Sequence, residues 1–462
     1  MQIMNQADTI CALSTPSGVG ALGVVRVSGI NALKIVSNIF SKNLEQAEGY
    51  SLHFGKIVAG DEIVDEVLLS VFRAPKSFTG EDVVEISCHG SPFILSSVLK
   101  LLVEKGCRMA EPGEYSMRAF SHGKMDLSQA EAVADLIASS SKAAHKLAMN
   151  QMRGKFSDQI NKLREDLIHF ASLIELELDF SEEDVEFADR NELRELVNKI
   201  KVVVQDLMES FATGNAIKNG VPIAILGAPN MGKSTLLNAL LNEDRAIVSA
   251  IAGTTRDTIE DEAVFDGIRF RFIDTAGIRE TTDEIETIGI SRALETARKA
   301  AVVLYLFDLS SDNTSGVKQQ IEKLRSEIGE ETTVLALGNK RDLTDDPIEA
   351  EKAFSDIEPF MAISAEEAEG IEELKSFLIK ASHALDVEGK EVVVTNIRHY
   401  EALKKTDEAL DAVLHGLKSA ITGDFLAIDI RRSLHHLGEI TGEITTDDLL
   451  GNIFSKFCIV NK

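Results

Sequence analysis

A chain of 462 residues exceeds one ordinary hydrophobic core, so two to four domains are expected. Its 44% hydrophobic and 27% charged content is that of a globular protein, and no apolar run nears the ~18 residues that cross a bilayer. A net charge of −27 argues against a surface that coats nucleic acid by itself, while leaving room for a local basic patch or a basic partner that carries RNA.

The opening MQIMNQADTI has no basic stretch before an apolar core, so no signal peptide is read. These features point to the cytoplasm and to no membrane partner. Cys11, Cys88, Cys107 and Cys458 form no CxxC pair, and the first three read as buried small hydrophobes.

Residues 1–118 read as a mixed α+β unit. ALGVVRVSG, EVLLSVFRA and EDVVEISCHG are strand-like, and SPFILSSVLKLLVEKG is a helix that stops at Gly106. Residues 119–215 turn helical. Leu163, Leu167, Phe170, Ile174 and Leu178 recur at three- and four-residue spacing, and the acidic face opposite them reads as a solvated bundle exterior. Residues 216–384 alternate apolar strand-length runs with helical stretches. VPIAILG, RFRFIDTAG, AAVVLYLFDLS, TTVLALGNKRD and FMAISA predict a largely parallel sheet. Asp266-Gly267 between two runs is a hairpin signal. Residues 385–462 return to helical spacing from about Ile397. Helical sequence therefore flanks the α/β unit on both sides, and an inserted domain is the simplest reading.

GAPNMGKST, Gly227–Thr235, has the form G-x-x-x-x-G-K-[ST] between a predicted strand and a predicted helix. Its glycines let backbone N–H groups curl around phosphate, Lys233 meets the β/γ oxygens, and Ser234 offers a hydroxyl to Mg²⁺. In GNKRD, the Asp342 carboxylate can accept from guanine N1–H and its exocyclic amine. Adenine lacks that donor pair, so GTP is selected over ATP. The stem of Lys340 covers the base plane, and Ile363–Ala365 offer N–H groups to guanine O6. Within AGTTRD, Thr255 is the second hydroxyl on Mg²⁺. Asp274 and Gly277 of DTAG sense Mg²⁺ and the γ-phosphate. The full expected nucleotide set is Asn230, Met231, Gly232, Lys233, Ser234, Thr235, Ser249, Ala250, Ile251, Ala252, Gly253, Thr254, Thr255, Asp274, Thr275, Ala276, Gly277, Asn339, Lys340, Arg341, Asp342, Ser364, Ala365 and Glu366. Ile278 follows Gly277, where many such hydrolases carry a Gln that orients the attacking water; Ile forms no side-chain hydrogen bond.

GAPNMGKST, AIAGTTRD, DTAGIRE…DEIETIGI and NKRD together resemble the GTPase domain of the MnmE (TrmE) tRNA-modification family. LSTPSGVGALGVVRVSG, SFTGEDVVEISCHG and EPGEYSMRAFSHGKMDLSQAEAVADLI are similar to its other motifs, so the resemblance covers essentially the whole chain. It implies a multidomain fold, with an α/β P-loop GTPase domain inserted in an α-helical bundle domain. An α+β folate-binding N-terminal domain, which makes the protein a homodimer, precedes both. It implies K⁺ in place of an arginine finger, held by Asn230, Ser249, Ile251 and Thr254, with two G domains face to face. Glu286 in DEIETIGI matches the family's catalytic glutamate, which would orient the water that Ile278 cannot. Arg26, Glu85, Lys124 and Lys462 would line a site for 5-formyl-tetrahydrofolate or a related one-carbon form. The family works with an FAD-dependent partner, MnmG, at C5 of the wobble uridine of certain tRNAs, and the flavin belongs to the partner.

The ending CIVNK departs from the family's usual Cys-x-Gly-Lys: it lacks the Gly and has one extra residue. Cys458 stands fifth from the end, so it makes no prenylation signal. It reads either as a reactive, tRNA-proximal thiol or as a packing residue. The alternative function is a ribosome-assembly GTPase switch without modification chemistry, which would carry a basic RNA-binding module; none stands out. A dynamin-like membrane GTPase would carry an apolar or polybasic lipid patch, equally missing.

Overall fold

The computed structural model describes residues 8–179, 189–241, 260–274, 294–329, 332–382, 392–419, 422–455 and 457. They form two compact units. One holds the residues up to 134 with 151–167 and 434 onward; the other holds 135–150 and 168–433. Among the described residues no helix is long and apolar enough to cross a membrane.

The first unit is built on strands β1 (Ile10–Leu13), β2 (Leu22–Ser28), β3 (Ser51–Ala59), β4 (Glu62–Phe72), β5 (Val83–His89) and β6 (Arg108–Met109), in the order β3-β4-β5-β2-β1-β6. Neighbours are antiparallel except β1 and β6. The strand period of two sorts β2 cleanly: Val25 and Val27 enter the core, while Arg26 faces the other side. Helix Pro92–Glu104 lays Leu95, Val98 and Leu102 on the buried face, and the chain leaves it through Gly106 at φ 111°. β1, β3 and β6 add to the three strands expected here. β1 and β6 are too short to show a period, and β3 interleaves exposed Leu52 and Phe54 with polar residues.

Helix Glu114–Ser121 carries a buried ionic centre. The Arg118 guanidinium donates to Asp8 at 2.6 Å, Glu114 at 2.8 Å and Glu81 at 3.0 Å. Arg108 donates to Glu114 at 2.6 Å and Asp8 at 2.7 Å, and the Ser28 hydroxyl donates to Glu81 at 2.6 Å. The Glu114 side chain is fully covered and that of Arg118 is 3% exposed, so each needs its partners to offset lost hydration. Burial pushes the Glu114 carboxyl up, but Arg108, the Glu111 backbone N–H and Arg118 together hold it below its ordinary value. Asp8 is lowered by the same balance, with Arg108 and Arg118 overcoming burial.

Near the chain's end, helix Asp447–Ser455 brings Phe454 against Leu127 and Ala130, with Phe457 in the same cluster. The Phe120 and Phe454 rings lie 6.3 Å apart. Gly113, at φ 70°, allows this approach, since a Cβ there would stand 2.3 Å from the Phe454 carbonyl oxygen.

The second unit contains β7 (Val221–Gly227), β8 (Glu260–Phe265), β9 (Ile268–Asp274), β10 (Val302–Asp308), β11 (Thr333–Asn339) and β12 (Phe360–Ala362), in the order β12-β11-β10-β7-β9-β8. All pairs are parallel except β8 with β9. Asp266 and Gly267 join those two at φ 48° and 81°, the left-handed pair that a tight hairpin requires. β7, β10 and β11 are apolar along most of their length because both faces are covered. Ile223, Ile225, Leu304 and Leu306 meet Leu236 and Leu240 of helix Lys233–Leu241. Ala224, Val303 and Phe307 meet Val317 and Ile321 of helix Thr314–Ile328.

Helices on the two sides of this sheet in sequence pack on one another. Lys201 of helix Arg190–Asn219 pairs with Asp407 at 2.7 Å and Asp411 at 2.9 Å on helix Ile397–Lys418. Phe211 stacks on Tyr400 at 4.7 Å. The α/β unit is thus an insertion between helices that belong together.

Replacing Arg118 by Met strands buried carboxylates, and a loss of about 3–5 kcal/mol is expected in denaturant unfolding. The acid limb gives a second readout. Glu114 and Asp8 titrate below their ordinary 4.5 and 3.8 when folded, so their stabilisation is complete above those values. It is lost as pH falls through the folded values. Glu114→Gln should flatten stability against pH in that window; an unchanged slope would exclude the network as its source.

Candidate functional site

The parallel strands of the second unit end at one rim, where open α/β sheets bind ligands. β7 runs into the phosphate loop, β10 ends at Asp308, β11 at Asn339, and β12 leads to Ile363–Ala365.

The phosphate loop takes backbone angles that glycine tolerates. Gly227 and Gly232 have φ of 151° and 89°, and Asn230 between them has 65°. Neither glycine has room for a side chain: a Cβ would stand 2.5 Å from the Leu306 carbonyl oxygen at Gly227 and 2.4 Å from the Asn339 amide nitrogen at Gly232. Left-handed residues among right-handed ones turn successive N–H groups to one side, the concave donor arrangement that accepts phosphate oxygens. Lys233 opens the following helix, and its ammonium lies 2.6 Å from the Gly227 carbonyl, across the mouth of the loop. Met231 and Thr235 are half-buried, while Ser234 is exposed on the helix's first turn. That donor set suits an anion with a divalent counterion.

Asn339 ties three segments together. Its amide N–H donates to the Met231 carbonyl at 2.8 Å, and its carbonyl oxygen accepts from Ala365 N–H at 3.0 Å. The residue is 3% exposed. Its amide thereby positions both loops. Lys340 adopts φ 64°, and its ammonium pairs with Asp308 at 2.7 Å, which fixes the stem alongside the rim. Burial raises the Asp308 carboxyl, yet Lys340 and the Ser310 hydroxyl and N–H keep it below its ordinary value. Asp342 accepts from the Ser364 hydroxyl at 2.6 Å, and Ser364 is fully buried, so the carboxylate is aimed by a rigid neighbour. Arg341 pairs with Glu351 and Glu369. Glu366 is exposed beside Ala365. Sequence reading missed Asp308; its signal was an acid closing an apolar run, in register with Asn339.

Several expected residues lie outside the described set: Ser249, Ala250, Ile251, Ala252, Gly253, Thr254, Thr255, Thr275, Ala276, Gly277, Glu286, Cys458 and Lys462, with the side chain of Asp274. The Asp274 backbone ends β9 opposite Ile225.

In the first unit Arg26 and Glu85 are direct partners across β2 and β5. Their side chains meet on the face away from the core, at 2.7 Å and 2.9 Å. The Arg26 guanidinium lies 5.5 Å from the ring centroids of both Phe78 and Tyr115, within cation–π range. The Tyr115 hydroxyl donates to the Arg26 carbonyl at 2.7 Å, and burial drives that phenol's pKa far up. Lys124 donates instead to the Pro75 carbonyl at 2.9 Å. Phe78 and Tyr115 were not anticipated; their signal was an aromatic inside each of SFTGED and GEYS.

The family profile described as "MnmE helical domain" matches residues 127–458, and that described as "GTP-binding protein TrmE N-terminus" matches residues 9–124. The chain belongs to the MnmE family. Proteins named "tRNA modification GTPase MnmE" are similar to it over nearly their whole length. That of Cytophaga hutchinsonii is 56% identical over 458 residues, covering 99% of this chain and 98% of its own. Those of Christiangramia forsetii and Bacteroides thetaiotaomicron are each 54% identical, covering 99% of this chain and 100% of theirs. Both matched regions of the MnmE family contain a cluster described above.

The geometry at Asp342 gives a direct expectation. Asp342→Asn replaces an acceptor by a donor, so guanine nucleotide affinity should fall about ten- to a hundredfold while xanthine nucleotide affinity rises. Fluorescent-nucleotide titration measures both. Undiminished preference for guanine would remove Asp342 from base recognition.

Proposed function

We propose that this MnmE family member hydrolyses GTP and uses the cycle to control modification at C5 of the wobble uridine in certain tRNAs. The carrying observation is the rim that gathers Lys233, Asn339, Lys340, Asp342 and Ser364 at the ends of β7, β11 and β12, in a chain 56% identical to a protein named a tRNA modification GTPase. Ser234 and Thr255 would hold Mg²⁺. Asn230, Ser249, Ile251 and Thr254 would hold K⁺, which supplies positive charge beside the transferred phosphoryl group. Glu286 would orient the attacking water. The remaining nucleotide contacts are those named from the sequence.

The Arg26–Glu85 pair, flanked by Phe78 and Tyr115, would receive a one-carbon tetrahydrofolate. A carboxylate suits the amide-like donors of a pterin, and aromatic faces suit its flat ring. Lys124 and Lys462 would serve the same site, and Cys458 would be a thiol near the reacting tRNA. An FAD-dependent partner of the MnmG type would bring the flavin and most of the RNA-binding charge, consistent with −27 here. Leu52, Phe54 and Leu68, exposed on β3 and β4, support self-association into a homodimer.

GTP turnover should be several-fold faster in KCl than in NaCl, measured as phosphate release; equal rates would abandon the potassium assignment. Glu286→Ala should cut turnover strongly with nucleotide affinity nearly unchanged, and the reverse pattern would refute its role. Loss of the protein should remove the C5 substituent from wobble uridines in nucleoside analysis of bulk tRNA. Intact tRNA with stalled ribosomal subunits would favour the ribosome-assembly reading.

A further inference from the structure

Helix Gly423–Thr441 carries a cluster remote in role from phosphate and folate chemistry. Glu439 follows His435 by four residues and His436 by three, the two spacings that bring helical side chains together. His436 Nδ1 lies 3.0 Å from one Glu439 carboxylate oxygen, and His435 Nε2 lies 3.6 Å from the other. The two imidazoles stand edge to face, with centroids 5.4 Å apart at 79°. One ligand atom from each of the three residues lies within 4.8 Å of both others. Donors sharing a metal at about 2.0–2.2 Å stand roughly 3–4 Å apart, so small side-chain rotations complete the set.

We propose that His435, His436 and Glu439 form a binding site for one divalent transition-metal ion. Two imidazole nitrogens and a carboxylate oxygen suit Zn²⁺, Ni²⁺ or Co²⁺, whereas Mg²⁺ and Ca²⁺ prefer all-oxygen shells. The set is graded in exposure: the His435 side chain is 51% exposed, Glu439 32% and His436 15%. The ion enters from solvent at His435, and water fills its remaining positions. Because all three donors sit within five consecutive residues, the bound ion braces the last turns of this helix.

The test is titration of the full chain with ZnCl₂ by calorimetry, in excess Mg²⁺ so that the phosphate site takes no zinc. One zinc site is expected, weakened tenfold or more in both His435→Ala and Glu439→Gln. Zinc should raise the thermal midpoint of the parent and not of His435→Ala. His435 is largely solvated, so its substitution leaves the metal-free midpoint in place. His435→Cys should keep the site, and with Co²⁺ its difference spectrum against the parent should gain thiolate charge-transfer absorption. Equal zinc affinity in the parent, His435→Ala and Glu439→Gln overturns the proposal, as does the lack of that absorption in His435→Cys.

Discussion

The nucleotide rim stands on one carboxamide. Asn339 closes β11 and is nearly sealed from water, so its donor and its acceptor must both be used inside the protein. They are used on different segments: the Met231 carbonyl in the phosphate loop and the Ala365 N–H after β12. A buried amide left half-paired costs about 1–3 kcal/mol, enough to hold the two loops in one register. The constraint reaches further. Gly232 must be glycine because the Asn339 nitrogen occupies the space of a Cβ. Residues 340–342 then leave β11 in fixed directions, with Lys340 anchored on Asp308 and Asp342 on Ser364.

The first unit uses charge in the same way. Arg118 and Arg108 bind three carboxylates between them, and Glu81 in that group also accepts from Ser28 of β2. The segment 77–81 is therefore pinned at its Glu81 end, which steadies Phe78 over Arg26. Tyr115, also 5.5 Å from Arg26, is positioned by the helix that carries Glu114 and Arg118. A stabilising network and the Arg26–Glu85 pair thus share strand β2: Ser28 serves the first and Arg26 the second.

Much of the architecture is legible in the chain because its signals are local. The G-x-x-x-x-G-K-S spacing, the Asp266-Gly267 turn and the long apolar runs each depend on backbone preferences of a few residues. Lys233, Lys340, Asp342 and Ser364 were all named as expected contacts this way. Asp308, Phe78 and Tyr115 were not, since each gains meaning only from a partner far away in sequence. β3 was hidden for another reason: its apolar Leu52 and Phe54 are exposed and interleaved with polar residues, so it shows no continuous apolar run.

Sequence alone determined the order of motifs, the acid offered for guanine recognition and the parallel character of the inserted sheet. These follow from residue chemistry at short spacing. Tertiary structure alone decided that Asn339 clips two loops, that Lys340 is held by Asp308, and that Arg26 lies 5.5 Å from each of two aromatic rings. It also decided that helices Arg190–Asn219 and Ile397–Lys418 close around an insertion. Those contacts join residues from 26 to more than 200 positions apart, as in Asn339–Ala365 and Lys201–Asp411. No short-range preference encodes such pairs; burial and charge select them only once the chain has folded.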